Sequence, residues 1–340
     1  MKNKVIYLPF ENLPQRYTKM WNDSFIAAMS DNDIAVWGDT TSESVINKGE
    51  FLDICDTISY KQMQIANVAK LFKEDKVQSG DVFFVPDIFY PSLASIRYMS
   101  ELLGIDVKIV AFNHAGRADK DDFVQRLGTW SDTQEQAWHD MCDLVLVGSE
   151  YHGKRVRERF APKRIETTGA IWSKEWMDEM CKGIDWEKED YIIFPHRPCK
   201  EKRFTEFLQV ARSNPRLHFV VTSSGNNRLA DVELPENVSY MFGLSKRQYF
   251  QVFASAKGYL SLAAQETFGY TLQEAIYFNC DVVVPKNACY EEYAHPSSVF
   301  PLEVLMQKGK LTSIYSDNSL SNSKNVADNA ASIYQLCKEV

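Results

Sequence analysis

Short apolar runs alternate with amphipathic helical segments along most of this chain. The runs are rich in β-branched and aromatic side chains, as strands buried on both faces of a parallel sheet are. One series of strands is expected at 5–8, 34–37, 81–86, 107–112 and 144–147, and a second at 191–194, 218–222, 238–241, 258–262 and 281–284. Helices are expected at 18–30, 59–74, 92–103, 204–213, 246–254 and 325–338. Because helical crossovers join parallel neighbours, this alternation predicts an α/β protein with doubly wound sheets.

The polar segment 174–190 separates the two series of strands. We therefore expect two Rossmann-like domains, 1–173 and 174–324, and a chain of 340 residues is long enough for each to bury its own core. Parallel sheets bind ligands beyond the carboxyl ends of their strands. The expected site is therefore the cleft between two such domains that face each other.

Composition excludes several classes of protein. With 45% hydrophobic and 25% charged residues the chain is globular, and no apolar run is long enough to span a membrane or to serve as a signal peptide. Seven scattered cysteines without zinc-ligand spacing indicate a reducing cytoplasm. The net charge of −8 argues against general coating of nucleic acid. No G-x-G-x-x-G follows a strand, which argues against a dinucleotide oxidoreductase.

The segment between the strands 258–262 and 281–284 has the pattern of a loop followed by a helix. Glu266 lies in the loop, and Gly269 allows the backbone to approach a ligand at the start of the helix. A helix N-terminus presents free N–H groups that suit a diphosphate. Glu274 lies too far along the helix to meet a phosphate, but it is placed to accept hydrogen bonds from the hydroxyls of an attached group.

The sequence from Glu266 to Glu274, with Thr-Phe-Gly after the first glutamate, resembles the E-x7-E motif of retaining glycosyltransferases of the GT-B fold. That large family includes sucrose synthases and mannosyltransferases. The resemblance implies that Glu266 and the backbone from Thr267 through Phe268 to Gly269 hold the donor sugar, and that Glu274 holds the ribose. It also implies two facing Rossmann-like domains, with a final helix at about 325–340 that packs back on the first domain.

The same resemblance assigns the chemistry. A sugar moves from a nucleoside-diphosphate sugar, with a UDP-sugar favoured, to a hydroxyl acceptor with retained anomeric configuration. The donor diphosphate itself helps to take the acceptor proton, so that no strong protein base is expected. No metal and no further cofactor are expected either. The residues expected to act in catalysis are Glu266, His114, Arg197 and Lys202.

Two cations follow the strand 191–194. Family members carry an Arg and a Lys five residues apart at this point, and Arg197 and Lys202 have that spacing. Fixed cations stabilise the charge that a leaving nucleoside diphosphate gains. His196 stands where the family usually has glycine, and Lys200 is a competing cation, so the choice between the two lysines stays open. A basic surface loop is the alternative interpretation.

The nucleotide base is expected near the loop 223–227 and the end of the strand 238–241. In the family this strand end meets the base through backbone atoms, and Phe242, Gly243 and Leu244 match it. His114 follows the fourth strand of the first domain, where the family often directs a histidine toward the donor sugar and the acceptor. The alternative for His114 is a structural role, in which neighbouring groups of the protein satisfy its hydrogen bonds.

The segment after His114 is expected to line the acceptor side, through Arg117, Asp119, Asp121 and Asp122. Asp119-Lys120-Asp121 superficially resembles the D-x-D metal motif of the other glycosyltransferase fold, but we interpret it as a solvated loop without an essential metal. Ser149 is expected to cap the helix that follows the strand 144–147.

The acceptor is the part on which the resemblance says least, because the first loop, 10–17, lacks the usual Gly-Gly. One hypothesis is a small sugar, a lipid-linked sugar or a glycan. Another is hydroxymethylated cytosine in DNA, since the chain is similar to compact phage sugar transferases. A basic run would then contact the phosphate backbone through Lys154, Arg155, Arg157, Arg159, Lys163 and Arg164. The same run is also typical of a solvated helix face. A third hypothesis is a GT-B protein that binds nucleotide or DNA without catalysis.

Overall fold

The computed structural model describes residues 3–13, 16–39, 53–223, 232–316, 320 and 328–340. The chain divides into two compact units, Met1–Ser173 with Ala327–Val340 and Lys174–Val326. Each unit contains one parallel sheet of six strands flanked by helices. The predicted architecture of two doubly wound parallel sheets is therefore confirmed.

The first unit is built on the strand order β2-β1-β3-β4-β5-β6. Its strands are β1 (Val5–Tyr7), β2 (Ile34–Ala35), β3 (Val82–Val85), β4 (Lys108–Asn113), β5 (Leu144–Val147) and β6 (Ile165–Thr167). Its helices before residue 173 are α1 (Thr18–Ala28), α2 (Ile54–Lys73), α3 (Leu93–Leu103), α4 (Trp130–Met141) and α5 (Glu150–Phe160), with short 3₁₀ turns at Gly116–Ala118 and Phe123–Arg126. Every residue of β3 and β5 is buried, because helices cover both faces of this parallel sheet.

The second unit is built on the order β12-β11-β10-β7-β8-β9. Its strands are β7 (Glu189–Phe194), β8 (Phe219–Ser223), β9 (Val238–Phe242), β10 (Ala256–Leu260), β11 (Asp281–Pro285) and β12 (Val299–Phe300). Its helices are α6 (Lys174–Met180), α7 (Phe204–Ser213), α8 (Lys246–Ser255), α9 (Tyr270–Tyr277), α10 (Tyr290–Tyr293), α11 (Leu302–Leu305) and α12 (Lys310–Ser316). The segment 174–190, which was expected only to separate the two series of strands, therefore belongs to the second unit, because it forms α6 and begins β7.

The last helix, α13 (Ala330–Glu339), packs on the first unit. Asp33 accepts hydrogen bonds from Lys338 Nζ at 2.8 Å and from Tyr334 Oη at 2.7 Å. Before the helix, Asn329 donates to the backbone of the segment that follows β6. Residues 325–327 of the predicted final helix lie outside the described residues.

Three further features complete the fold: the cap of α5, the state of the cysteines and the hydropathy of the helices. Ser149 caps α5 as expected, because its Oγ accepts from the His152 backbone N–H at 3.2 Å. All seven cysteines are free thiols. Within the described parts of the chain, no helix is both long and apolar enough to cross a bilayer.

Candidate functional site

Lys202 and Glu266 meet in the second unit, at the edge where two neighbouring strands end. They follow β7 and β10, which pair in parallel. Lys202 Nζ lies 2.7 Å from Glu266 Oε1, 2.7 Å from Glu201 Oε1 and 3.2 Å from the Gln265 carbonyl oxygen. The two side chains are mostly buried, at 13% and 18% exposure. Carboxylate neighbours in such a site hold the lysine in its charged form.

The electrostatics of Lys202 agree with this geometry. Burial by itself lowers the pKa of the Lys202 ammonium, but the charges of Glu266 and Glu201 and their hydrogen bonds outweigh burial and raise it above its usual value. The site therefore keeps a fixed cation at neutral pH. Such a cation, with a carboxylate beside it, is suited to an anion that carries hydroxyl groups.

Arg197 belongs to the same cluster through Glu201. Its side chain is about half exposed, and its Nη2 donates to Glu201 Oε2 at 3.2 Å. Glu201 therefore bridges Arg197 and Lys202, a role that sequence reasoning missed although the acid stands directly before Lys202. Lys200 is exposed, whereas Lys202 makes the contact with Glu266. The structure thus brings Arg197, Lys202 and Glu266 together.

His196, the departure from the usual glycine, is a buried structural group. Its Nε2 lies 2.9 Å from Ser261 Oγ, and Ser261 Oγ lies 2.6 Å from Tyr290 Oη. Burial lowers the pKa of His196, and the nearby Lys202 charge lowers it further. The neutral ring therefore ties the end of β7 to the segment after β10.

Gly269 ends the loop that carries Glu266 and Thr267. Its φ of +79° is the left-handed conformation that glycine adopts without strain, and α9 begins at the next residue. Phe268 is buried between the rings of Tyr270 and Tyr293, each with its centroid 5.1 Å away. The loop is thereby held at the N-terminus of α9, where free N–H groups favour an anion.

Glu274 is buried one turn further along α9 and contacts two side chains of α8. Its Oε1 accepts from Lys246 Nζ at 3.3 Å, and its Oε2 accepts a short hydrogen bond from Tyr249 Oη. Burial raises the pKa of Tyr249, and the Glu274 carboxylate raises it further. Sequence reasoning missed Lys246 and Tyr249, because nothing local in α8 marks them as partners of a residue on another helix.

The segment expected to meet the base lies at the end of β9. Phe242 is 48% exposed, and its ring stacks on Tyr240 with centroids 5.7 Å apart. Gly243 has a φ of +66°, so the chain turns here before Leu244 and α8. Residues 224–227 of the other predicted base-contacting loop lie outside the described residues, as do Pro14 and Gln15 of the first loop.

His114 lies in the first unit, directly after β4, in an aromatic cluster. The ring centroids of Phe112, Trp21, Tyr17 and Phe10 are 4.5, 5.1, 5.7 and 5.8 Å from that of His114. Its Nε2 lies 2.8 Å from the Pro86 carbonyl oxygen, which only accepts, so Nε2 carries the proton. Burial lowers the pKa of His114, and Asp87 opposes that effect only in part. The ring is neutral at neutral pH, with its lone pair on Nδ1.

The segment expected to line the acceptor side is more buried than predicted. Asp119 is 6% exposed, and its Oδ1 accepts from the Asp121 backbone N–H at 2.9 Å, so the prediction of a solvated loop is wrong for this residue. Burial raises the pKa of Asp122 to about 6. Arg117 donates to Asp132 from Nε at 3.1 Å and from Nη2 at 2.7 Å. No group of three or more His, Cys, Asp or Glu in the described chain is arranged to hold a metal ion.

The basic run on and after α5 is largely neutralised by acidic partners. Lys154 approaches Glu158 at 3.9 Å, Arg157 pairs with Glu150 at 2.8 Å, Arg159 pairs with Asp132 and Arg164 pairs with Glu166. Arg155 donates to the Ala118 carbonyl oxygen at 2.8 Å. Lys163 is exposed. These contacts are those of a salt-bridged surface helix rather than of an unopposed cationic patch.

Comparison with known proteins identifies the fold. No family model matches the chain. Sucrose-phosphate synthase from Thermosynechococcus elongatus superposes with a TM-score of 0.64 at 11% identity, over 99% of this chain and 94% of that one. Anabaena HepE in complex with UDP and glucose superposes with a TM-score of 0.60 at 12% identity, over 98% and 95% of the two chains. The pneumococcal O-GlcNAc transferase GtfA, in complex with UDP and GlcNAc, superposes with a TM-score of 0.51 at 16% identity, over 82% of this chain and 57% of that one. The fold is GT-B, as the sequence predicted, and identities this low establish the fold alone.

Proposed function

We propose that this chain is a retaining glycosyltransferase that moves a sugar from a nucleoside-diphosphate sugar, with a UDP-sugar favoured, to a hydroxyl acceptor. The fold supports this function, since similar structures contain UDP with glucose or GlcNAc. The E-x7-E resemblance of Glu266 to Glu274 supports it further. Because fold alone does not fix function, the proposal depends on the site.

The observation that carries the proposal is the pairing of Lys202 with Glu266 at the carboxyl edge of the second sheet. A sugar donor needs a cation for its diphosphate and a carboxylate for its sugar hydroxyls within a few ångströms of each other. The pair supplies both groups, and the start of α9 adds backbone donors beside them. Arg197, exposed and linked through Glu201, supplies a second cation for the leaving diphosphate.

Glu274 is the proposed partner of the ribose. Lys246 and Tyr249 hold its carboxylate in one orientation, so that it accepts from a ribose hydroxyl without a large entropic cost. Phe242, Gly243 and Leu244 are the proposed contacts of the base, with the exposed Phe242 ring as a stacking surface. His114 is the proposed contact of the donor sugar and the acceptor, through its Nδ1 lone pair.

We propose a metal-independent reaction in which the leaving diphosphate accepts the acceptor proton. A small sugar, lipid-linked sugar or glycan is the favoured acceptor. Hydroxymethylated cytosine in DNA is the second candidate, and the ion pairs of Arg157 and Arg164 weaken it, because they oppose two of the cations that would contact the phosphate backbone. A cytoplasmic location stays a prediction.

A nucleotide-binding screen tests the function. Thermal unfolding is followed with UDP, GDP and ADP, then with the matching sugar nucleotides, each with and without EDTA. A ligand present at about 100 times its Kd stabilises the protein by about 2.7 kcal/mol. We expect UDP to stabilise the wild type with EDTA present, and Glu274→Gln to remove most of that gain. Glu303→Gln is the matched control, since Glu303 is an exposed glutamate of the same unit.

Two outcomes separate the hypotheses. Release of UDP from a UDP-sugar by the purified protein, with an α-configured product from an α-configured donor, supports a retaining transferase. Binding of a nucleotide without any turnover of its sugar derivative supports the non-catalytic alternative. If no nucleotide stabilises the protein, the transferase proposal loses its basis.

A further inference from the structure

The first unit carries a groove of about 930 Å³ that the proposed donor site does not use. It lies among the 3₁₀ turn Gly116–Ala118, the loop after it, and the helices α4 and α5. Its charged lining consists of Arg117, Lys120, Arg155, Arg159, Asp132 and Glu158. Four cations face two carboxylates, so the groove is locally positive in a protein whose net charge is −8.

Arg117 is held in place from several sides. Its Nε and Nη2 donate to Asp132, its Nη1 lies 3.4 Å from the Val124 carbonyl oxygen, and its backbone N–H donates to Glu135 Oε2 at 3.0 Å. Its side chain is only 12% exposed. A guanidinium fixed in this way loses little conformational entropy when it binds an anion.

Arg155 and Arg159 extend the positive surface along α5. They lie one turn apart and therefore share a face of the helix. Arg155 is positioned by hydrogen bonds from Nε to the Ala118 carbonyl oxygen at 2.8 Å and from Nη1 to Tyr151 Oη at 2.6 Å. Arg159 reaches across to Asp132, the same carboxylate that Arg117 binds.

Asp132 acts as an internal anion between two guanidinium groups. The hydrogen bonds from Arg117 and Arg159 lower the pKa of Asp132 to about 2, so the carboxylate stays ionised. Glu158, the other acid, is 63% exposed and approaches Lys154 at 3.9 Å. The two carboxylates leave an excess of two positive charges, which matches a phosphomonoester with its charge of about −2 at neutral pH.

We propose that this groove binds the phosphate of a small phosphomonoester acceptor, an assignment that rests on the transferase function proposed above. The turn Gly116–Ala118 begins two residues after His114, at the carboxyl end of β4. Parallel α/β sheets bind ligands at that edge. The phosphate would fix the acceptor in the groove, and a hydroxyl elsewhere in the same molecule would receive the sugar.

Binding of glycerol 3-phosphate to the full chain tests the assignment, by calorimetric titration at constant ionic strength with UDP present. Arg159→Gln should weaken binding about tenfold, because a hydrogen bond to a charged group is lost. Asp132→Asn should strengthen binding, since it removes the competing anion. Arg157→Gln is the matched control, because Arg157 lies on the same helix with the same 43% exposure but pairs with Glu150, outside the groove.

Equal binding by the wild type, Arg159→Gln and Arg157→Gln would overturn the proposal. Dimethyl phosphate, a monoanionic diester, should bind more weakly than the monoester, and equal affinity would also contradict the assignment. Tighter binding of a short DNA duplex that depends on Arg159 would replace a small acceptor with nucleic acid. UDP binding without glycerol 3-phosphate binding would reject phosphate binding in the groove and leave the proposed transferase function standing. Glycerol 3-phosphate binding without any nucleotide binding would reject the transferase function.

Discussion

The ammonium of Lys202 lies 2.7 Å from the carboxylate of Glu266, although 64 residues separate them along the chain. The parallel pairing of β7 with β10 makes this contact possible, because both side chains follow strands that end at the same edge. The proposed donor diphosphate would compete with Glu266 and Glu201 for the ammonium. We therefore expect the pair to influence both stability and ligand affinity. Three predictions concern this site, and a fourth concerns Glu135 of the first unit.

The Lys202–Glu266 pair should show energetic coupling in a double-mutant cycle. Lys202→Gln, Glu266→Gln and the double variant are compared by urea unfolding, and we expect a coupling of about 1 to 3 kcal/mol. The matched control is the exposed pair Lys257–Asp190 at 3.2 Å, whose coupling should stay below about 0.5 kcal/mol. Equal coupling energies in the two cycles would mean that burial does not strengthen the interaction between Lys202 and Glu266.

The Glu274 carboxylate should recognise the ribose hydroxyls of the donor. The wild type is expected to bind UDP about tenfold more tightly than 2′-deoxy-UDP or 3′-deoxy-UDP, because one hydrogen bond to a charged group is lost. Glu274→Gln should remove most of this preference, and Tyr249→Phe should reduce it by releasing one oxygen of the carboxylate. A preference that persists in Glu274→Gln would place the ribose elsewhere.

Gly269 should be required for UDP binding as well as for stability. Gly269→Ala and Gly309→Ala each place a side chain at positive φ, +79° and +71° respectively, and each should cost about 1 kcal/mol of unfolding free energy. Only Gly269 precedes α9, so only its variant should also weaken UDP binding. Equal UDP affinity in the two variants, measured by calorimetry, would remove the start of α9 from the proposed site.

Glu135 should make stability fall as pH rises. It is fully buried, its Oε1 has no hydrogen-bond partner among the described residues, and burial raises its pKa to about 7, with Asp122 adding to the effect and Arg117 and Arg159 opposing it. A carboxyl group whose pKa is raised by folding gives its full stability below its unfolded pKa and loses it as pH rises toward the folded value.

Glu135→Gln stays neutral at every pH and removes this loss. Relative to the wild type, its unfolding free energy should improve by about 2 to 3 kcal/mol between pH 5 and pH 8. Urea unfolding at the two pH values measures the change. Parallel pH profiles for the two proteins would show that Glu135 is not the group responsible.

Most of the sheet architecture was predictable because buried strands are uniform apolar runs. The strand Leu144–Val147 and the helix Phe204–Ser213 were predicted at their observed bounds. Sequence reasoning missed α4, because Glu135 and His139 stand at buried positions of that helix and interrupt its apolar pattern. It also missed β6 and β12, which are short strands at the sheet edges.

The candidate site was predictable only where its pattern is local. Glu266, Gly269 and Glu274 lie within one loop and helix, and Arg197 and Lys202 lie within another loop, so their spacing is visible in the sequence. Lys246 and Tyr249 were missed because they reach Glu274 from a separate helix. The groove of Arg117, Arg155 and Arg159 was missed as a unit because a 3₁₀ turn, the loop after it and two helices contribute to it.

The sequence by itself determined the alternation of strands and helices, the division into two sheets and the residues of the E-x7-E segment, because each depends on side chains that are neighbours along the chain. Tertiary structure alone decided which charges of separate elements meet. It joined Lys202 to Glu266, set Lys246 and Tyr249 on Glu274, and paired Arg159 and Arg164 of the basic run with acids from other elements. Strand order and helix packing determine distances in space, and the energy of a charge depends on those distances rather than on its position in the sequence.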